Sequence, residues 1–356
     1  MKEMEKIRTF RFAQEPCFPR FARKISWIQV GSKRDGGNIY GSEVREALSE
    51  DFNLELKKVK AKYFNWRYLK FLERFFNLII VKGKSDLWIR DDFFSVVALS
   101  LDKTLGKKLA LIYHLDFSVF PLVLRPIFFL LEKVFYFNLK KADAVVTISE
   151  YWKNHFLKQG FSNVSKIYCA FDLANFKIDK QEISEFKKKF GLERKPIIYI
   201  GNCQKAKGVV EAFKALKDLD VYLVTSGERK VKIPAINLNL KYRDYLRLLG
   251  ACSIAITMSK FKEGWCRTAH EAMLLRTPVI GSGRGGMEEL LKGAGQIICK
   301  DFNSLREEVE CLLNHPEIRR KMGETGFNFA KNFTVKKFNE DWLELIKKLF
   351  NEKNRS

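Results

Sequence analysis

The stretch ITMSKFKEGWCRTAHEAMLLRTPVIGSGRGGMEEL, residues 256–290, limits the possible fold more than any other part of the chain. ACSIAITMS, which runs into it, is an apolar run of strand length with β-branched residues, the pattern of a strand buried on both faces. A loop closing on Glu263 and Gly264 follows, and 267–275 then carries Ala269, Ala272, Met273 and Leu275 on a helical stripe. TPVIGS predicts a second buried strand, ended by Gly281, Gly283, Gly285 and Gly286, and 287–292 begins another helix. This alternation predicts a parallel α/β sheet with both loops at the C-terminal ends of strands, where such sheets bind ligands.

Two carboxylates stand out. Glu271 lies eight positions after Glu263, about 12 Å along a helix, so the pair reaches two ends of one extended ligand instead of sharing a proton. The plainer alternative leaves Glu263 solvated and pairs Glu271 with Arg267 at i,i+4. Against it, Glu271 is flanked by Ala and Met on a helix between buried strands, where an unpaired charge is costly. The backbone N–H groups of Trp265, Cys266 and Arg267 stand at a helix N-terminus, an expected anion site. A hydroxyl-binding glutamate at each end of an anion site suits a nucleotide sugar.

The order E-G-W-C-R-T-A-H-E-A-M, T-P-V-I, G-G-M-E-E resembles the E-x7-E signature of the family 4 (group 1) retaining glycosyltransferases of GT-B fold. The resemblance implies that Glu263 contacts hydroxyls of the transferred sugar and that Glu271 holds the ribose. Gly264, Trp265, Cys266 and Glu289 then fall among the donor-binding positions. Where the family reads G-R-x-x-x-x-K-G after the first strand of its second domain, this chain has Asn202 in the arginine position, with Lys207 and Gly208 matching. Cys266 stands where the family usually has glycine. Lys205 and Arg267 are candidates to replace the missing cation. The plainer reading of any one lysine in so basic a chain is a solvated surface residue.

Composition adds limits. The 356 residues suffice for two domains, and 46% hydrophobic with 13% aromatic residues describes a globular chain. The formal charge of +23 is spread along both halves and suits anionic partners: phosphorylated donors, an anionic membrane or nucleic acid. It equally suits simple solubility. The seven cysteines show no C-x-x-C spacing, and Cys169, Cys203, Cys252 and Cys299 fall in or beside buried strands, fitting a reducing compartment. MKEMEKIRTFRF has no long apolar core, so no signal peptide is expected.

In the first half, KISWIQVG predicts a strand, followed by a glycine turn at Gly36-Gly37 and a helix to about Ser49. An ordinary βα turn is one reading. The resemblance implies that Gly36, Gly37 and Asn38 lie over the donor diphosphate and acceptor. FNLELKKVKA, SDLWIRDD and KKLALIYHLD predict further strands. A lone His114 near the last of these reads as structural, whereas the resemblance puts it close to the sugar. ADAVVTISE follows the family's A-D-x-V-x-x-x-S strand, with Ser149 a helix cap. The aromatic, basic segments 65–81 and 121–141 read either as core helices or as an interfacial surface meeting anionic lipid. Pro126 and interspersed charges argue against a membrane span.

The second half predicts PIIYIGN and DVYLVTSG as strands, a loop through INLNLK, and helices broken at His315-Pro316. The resemblance makes 239–242 candidates for holding the base. The expected division is an acceptor-binding domain over 1–182, a nucleotide-sugar domain over 183–333, and a terminal helix over 334–356 crossing back. Two doubly wound, Rossmann-like α/β domains would then face a cleft. The function implied is retaining transfer of a sugar from a nucleoside diphosphate to a hydroxyl acceptor, a glycan, lipid-linked acceptors included. Glu263, His114, Lys207 and Arg267 are the catalytic candidates. No cofactor or metal is implied, since cations and helix N-termini neutralise the diphosphate. The expected setting is cytoplasmic, with peripheral membrane contact and no nucleic acid. A dinucleotide oxidoreductase is disfavoured because Gly31, Gly36 and Gly37 lack G-x-G-x-x-G spacing. The other alternative is a nucleic-acid-binding or scaffold protein on an inactive transferase fold, suggested by the charge and by Asn202 and Cys266.

Overall fold

The computed structural model describes residues 23–30, 36–64, 67–118 and 125–351. Its first half alternates β1 (Lys24–Val30), α1 (Gly36–Ser49), β2 (Asn53–Val59), α2 (Arg67–Ile79), β3 (Lys82–Arg90), α3 (Phe93–Val97), β4 (Lys103–Ile112), α4 (Arg125–Leu139), β5 (Ala144–Thr147), α5 (Glu150–Lys158) and β6 (Val164–Lys166). After α6 (Lys180–Phe190) come β7 (Ile197–Asn202), α7 (Val209–Leu216), β8 (Tyr222–Ser226), β9 (Ile236–Leu238), α8 (Tyr242–Ala251), β10 (Ile254–Thr257), α9 (Arg267–Leu274), β11 (Val279–Gly281), α10 (Gly286–Gly293) and β12 (Ile297–Ile298). The chain closes with α11 (Leu305–Asn314), α12 (Pro316–Ala330) and α13 (Val335–Asn351).

The strands form two six-stranded sheets, ordered β2-β1-β3-β4-β5-β6 and β12-β11-β10-β7-β8-β9, with the paired strands parallel. The doubly wound α/β expectation therefore holds twice. Strand order reverses between β1 and β3 in the first sheet and between β7 and β10 in the second. The crevice outside the carboxyl ends of such strands is where open α/β sheets take ligands. Strands β5 and β10 are buried at every position, which is why their sequences are continuous apolar runs.

Several expectations change on the structure. Gly36 and Gly37 form the first turn of α1 and not a turn before it. The segment read as a loop at INLNLK contains the edge strand β9, too short and too polar on its flanks to show a period. The expected division after residue 182 falls within the first turn of α6, which Asp179 caps and Gly191 ends in the left-handed region. Arg243 and Arg247 of α8 both bind Glu182, so α6 packs on the second half. Helix α13 lies on α1, where Trp342 Nε1 donates to Tyr40 Oη at 3.3 Å, and Lys107 Nζ beyond them donates to Leu349 O at 2.6 Å. Cys169, Cys203, Cys252 and Cys299 are buried free thiols, as is Cys266.

At the end of β3, Asp91 Oδ2 accepts from Trp27 Nε1 at 2.8 Å, and burial pushes this carboxyl from 3.8 up to about 7. The folded chain thus holds a proton that the unfolded chain releases. Stability is fullest below 3.8 and falls as pH rises through the window to about 7. Asp91→Asn should flatten that decline, so urea melts at about pH 4.5 and about pH 8 should differ less for the variant than for the wild type.

Candidate active site

The site is assembled where the second sheet changes direction. After β7 a short 3-10 turn, Lys205–Lys207, leads to Gly208 at φ 72°, and a Cβ there would stand 2.2 Å from Met258 O after β10. That contact admits only glycine and brings the two loops together. Lys207 Nζ consequently reaches Glu263 Oε1 at 2.6 Å, and Ser259 Oγ donates to the same oxygen. Glu263 is buried. Burial acts to lower the Lys207 ammonium, but the Glu263 carboxylate outweighs it and the net shift is upward. Lys207 also stands 4.8 Å over the Phe261 ring, and Phe261 lies 5.5 Å from the ring of exposed His114, just beyond β4. The structure thus joins Glu263, Lys207 and His114 through Phe261, a residue the sequence reading did not single out.

Glu271 is one helical face further on, also buried, with Tyr242 Oη donating to its Oε1 at 3.2 Å. Burial raises its carboxyl above the usual range, with Arg267 pulling it back. The i,i+4 pairing with Arg267 exists only at 4.0 Å. The Arg267 guanidinium instead forks onto Glu43 of α1, Nη1 to Oε2 at 3.2 Å and Nη2 to Oε1 at 3.1 Å, above the Phe171 ring at 4.5 Å. A Cβ on Gly36 would lie 3.8 Å from Arg267 Cδ. Gly36 and Arg267, 231 positions apart, are therefore neighbours. Gly37 follows Gly36 in the first turn of α1, and Asn38 is held there by Gln29 Nε2 at 3.1 Å.

The three-donor anion site is corrected in one respect: Arg267 N–H donates to Trp265 O at 3.0 Å. The Trp265 indole packs on Tyr168 and Phe333 and donates to His270 Nδ1 at 3.2 Å. Burial pushes the Cys266 thiol up to about 12, so a neutral side chain fills the position of the usual glycine. Asn202 turns inward, its Oδ1 accepting from Ser226 Oγ at 2.7 Å and Tyr199 Oη at 3.1 Å. Beside it, Lys230 N donates to Cys203 O at 2.9 Å, which ties the basic 229–232 segment to the loop that carries exposed Lys205.

The remaining motif residues form a seam with the first sheet. Both carboxylate oxygens of Glu289 accept from Glu150 N, at 2.9 and 3.1 Å, at the start of α5, where Ser149 is the N-cap. Trp152 Nε1 donates to Glu263 O at 2.9 Å, and Lys262 N donates to Asp116 Oδ2 at 2.7 Å. A Cβ on Gly264 would stand 2.2 Å from Tyr113 O, and one on Gly286 1.9 Å from Gly264 O. The glycines of the motif thus bring the Glu263 loop against the ends of β4 and β5.

Residues 180–329 match the model of glycosyl transferases group 1. An uncharacterised glycosyltransferase of Methanocaldococcus jannaschii is 25% identical over 226 residues, 56% of this chain and 64% of that protein. The first of the curated relatives are matched over at most 64% of their own length. Sucrose-phosphate synthase from Thermosynechococcus elongatus superposes with a TM-score of 0.76 at 17% identity, over 92% of this chain and 99% of that one. Anabaena HepE in complex with UDP and glucose gives 0.70 at 15%, over 92% and 100%. The two sheets have the GT-B arrangement of these structures.

Proposed function

We propose, from the match of residues 180–329 to the model of glycosyl transferases group 1, that the chain is a retaining glycosyltransferase. It moves a sugar from a nucleoside diphosphate to a hydroxyl of a glycan, lipid-linked acceptors included, on the cytoplasmic side. The observation that carries the reading is the Lys207–Glu263 pair at the crevice of the second sheet, with Glu271 buried behind it. HepE with bound UDP and glucose supports the donor class.

In this reading Glu263 takes hydroxyls of the transferred sugar, and Lys207 moves its charge onto the departing diphosphate, where a fixed cation stabilises the transition state. Glu271 and Tyr242 hold the ribose, and Gly208, Gly264 and Cys266 shape the bed of the donor. His114 borders the sugar beside Phe261. Arg267 supports the diphosphate side from its bond to Glu43, and Lys205 with the 229–232 segment supplies the charge that Asn202 lacks. Glu289 positions the Glu263 loop through α5. The donor is a substrate, and no resident cofactor or metal is assigned.

The test is to incubate the chain with nucleotide sugars and candidate acceptors, follow nucleoside diphosphate release, and assign the anomer of the product by NMR. An α-linked donor should give an α-linked product. An inverted linkage would overturn retention, and no release from any donor would argue for an inactive fold.

A further inference from the structure

Helices α2 and α4 each pack against α3 and the turn Ala98–Leu101, and each turns an apolar stripe to water. On α4 only Phe135, Asn138 and Leu139 are buried, while Ile127, Leu130 and Phe137, at helical spacing, are 56%, 62% and 65% exposed. Leu72 and Phe76 on α2 and Ile80 just past its end form the same kind of stripe, at 48%, 63% and 64%. A core explains neither stripe, and a patch on this scale marks an interaction surface.

The charges bordering the patch identify its occupant. Exposed Lys133 stands 4.6 Å over the Phe129 ring and Lys141 5.9 Å over the Phe137 ring, with Lys140 exposed beside them. The carboxylates of these helices are turned away. Glu73 is buried, accepting from the backbone N–H groups of Lys62, Tyr63 and Phe64. Glu132 is partly buried, near Asp116 and Lys262 of the seam. A face that is apolar with only basic charges turned outward is complementary to a bilayer of anionic lipid: rings enter the headgroup boundary while lysines meet phosphates. A second copy of this chain, at +23, would bring like charges together.

We propose that the α2–α4 face docks the protein on an anionic lipid bilayer. The face adjoins the site: Arg125 Nη2 at the start of α4 donates to Ser118 O at 2.9 Å, and Phe117 stacks on Phe128 at 4.9 Å. The same 113–118 loop carries His114 and Asp116, the latter bound to Lys262 N. An acceptor hydroxyl anchored in lipid would be presented to the cleft. The docking itself does not depend on the transferase reading.

The test is co-sedimentation of the full chain with phosphatidylcholine vesicles, with and without phosphatidylglycerol, across a salt series. Two triple variants accompany the wild type: Phe129→Ser/Leu130→Ser/Phe137→Ser and Lys133→Glu/Lys140→Glu/Lys141→Glu. The wild type should partition onto anionic vesicles and release with salt, and the lysine variant should lose about 100-fold in partition. All replaced side chains are exposed, so melting temperature and nucleotide response should stay unchanged in both variants. No partition of the wild type, or partition that neither variant alters, overturns the proposal. So does a concentration-dependent dimer that the apolar variant abolishes, or retention on RNA in place of vesicles.

Discussion

Glu263→Gln is expected to lower the transfer rate by about 10²- to 10³-fold, the usual cost of removing a preorganised polar contact to the reacting group. In the wild type Glu263 Oε1 accepts from both Lys207 Nζ and Ser259 Oγ, so the carboxylate is held before any ligand arrives. Glutamine keeps the shape and one acceptor but loses the charge that keeps the ammonium in place. The variant should still bind nucleoside diphosphate, because the ribose contact is proposed for Glu271. Lys207→Met, by contrast, should weaken nucleotide binding and transfer together. Steady-state rates beside equilibrium titration with the nucleotide separate the two. Equal loss of nucleotide affinity in both variants would contradict the division of roles.

Gly286→Ala should destabilise the chain by about 3 kcal/mol, at the upper end for an overpacked site. Its Cβ would stand 1.9 Å from Gly264 O and 2.7 Å from Ser149 Cβ and Oγ, so backbone on both sides of the seam would have to move. The loop that moves carries Glu263, and a displacement near 1 Å costs about 100-fold in rate. Calorimetry and the transfer assay should therefore fall together. A variant as stable and as fast as the wild type would show that the seam is not packed as described.

Much of the frame could be read before the structure because buried parallel strands write themselves as continuous apolar runs. Ile254–Thr257 and Ala144–Thr147 are examples. The two loops around Glu263 and Gly286 were legible for the same reason, as breaks in such runs. Strand β9 was not, since three residues at a sheet edge carry no period. The expected division between 182 and 183 cuts helix α6, whose apolar face is narrow, with Phe186 alone buried. At the site, residue types and spacing pointed to Glu263, Glu271 and Lys207. Their partners could not be read, because contacts such as Arg267–Glu43, 224 positions apart, follow from the packing of separate sheets. Phe261, and the contact of Glu289 with Glu150 N, belong to the same class. Their positions between His114 and Lys207, and at the start of α5, exist only once the two halves meet.

The central claim is that the Lys207–Glu263–Glu271 crevice holds a nucleoside-diphosphate sugar. The measurement that meets it most directly is a thermal-shift series with UDP, GDP, ADP and dTDP on the wild type and on Glu271→Ala. A ligand at about 100 times its dissociation constant adds about 2.7 kcal/mol. One nucleotide should raise the wild-type melting temperature and fail to raise that of the variant. If no nucleotide shifts the wild type while short RNA does so in a salt-sensitive way, the basic surface is the function and the transferase account is contradicted.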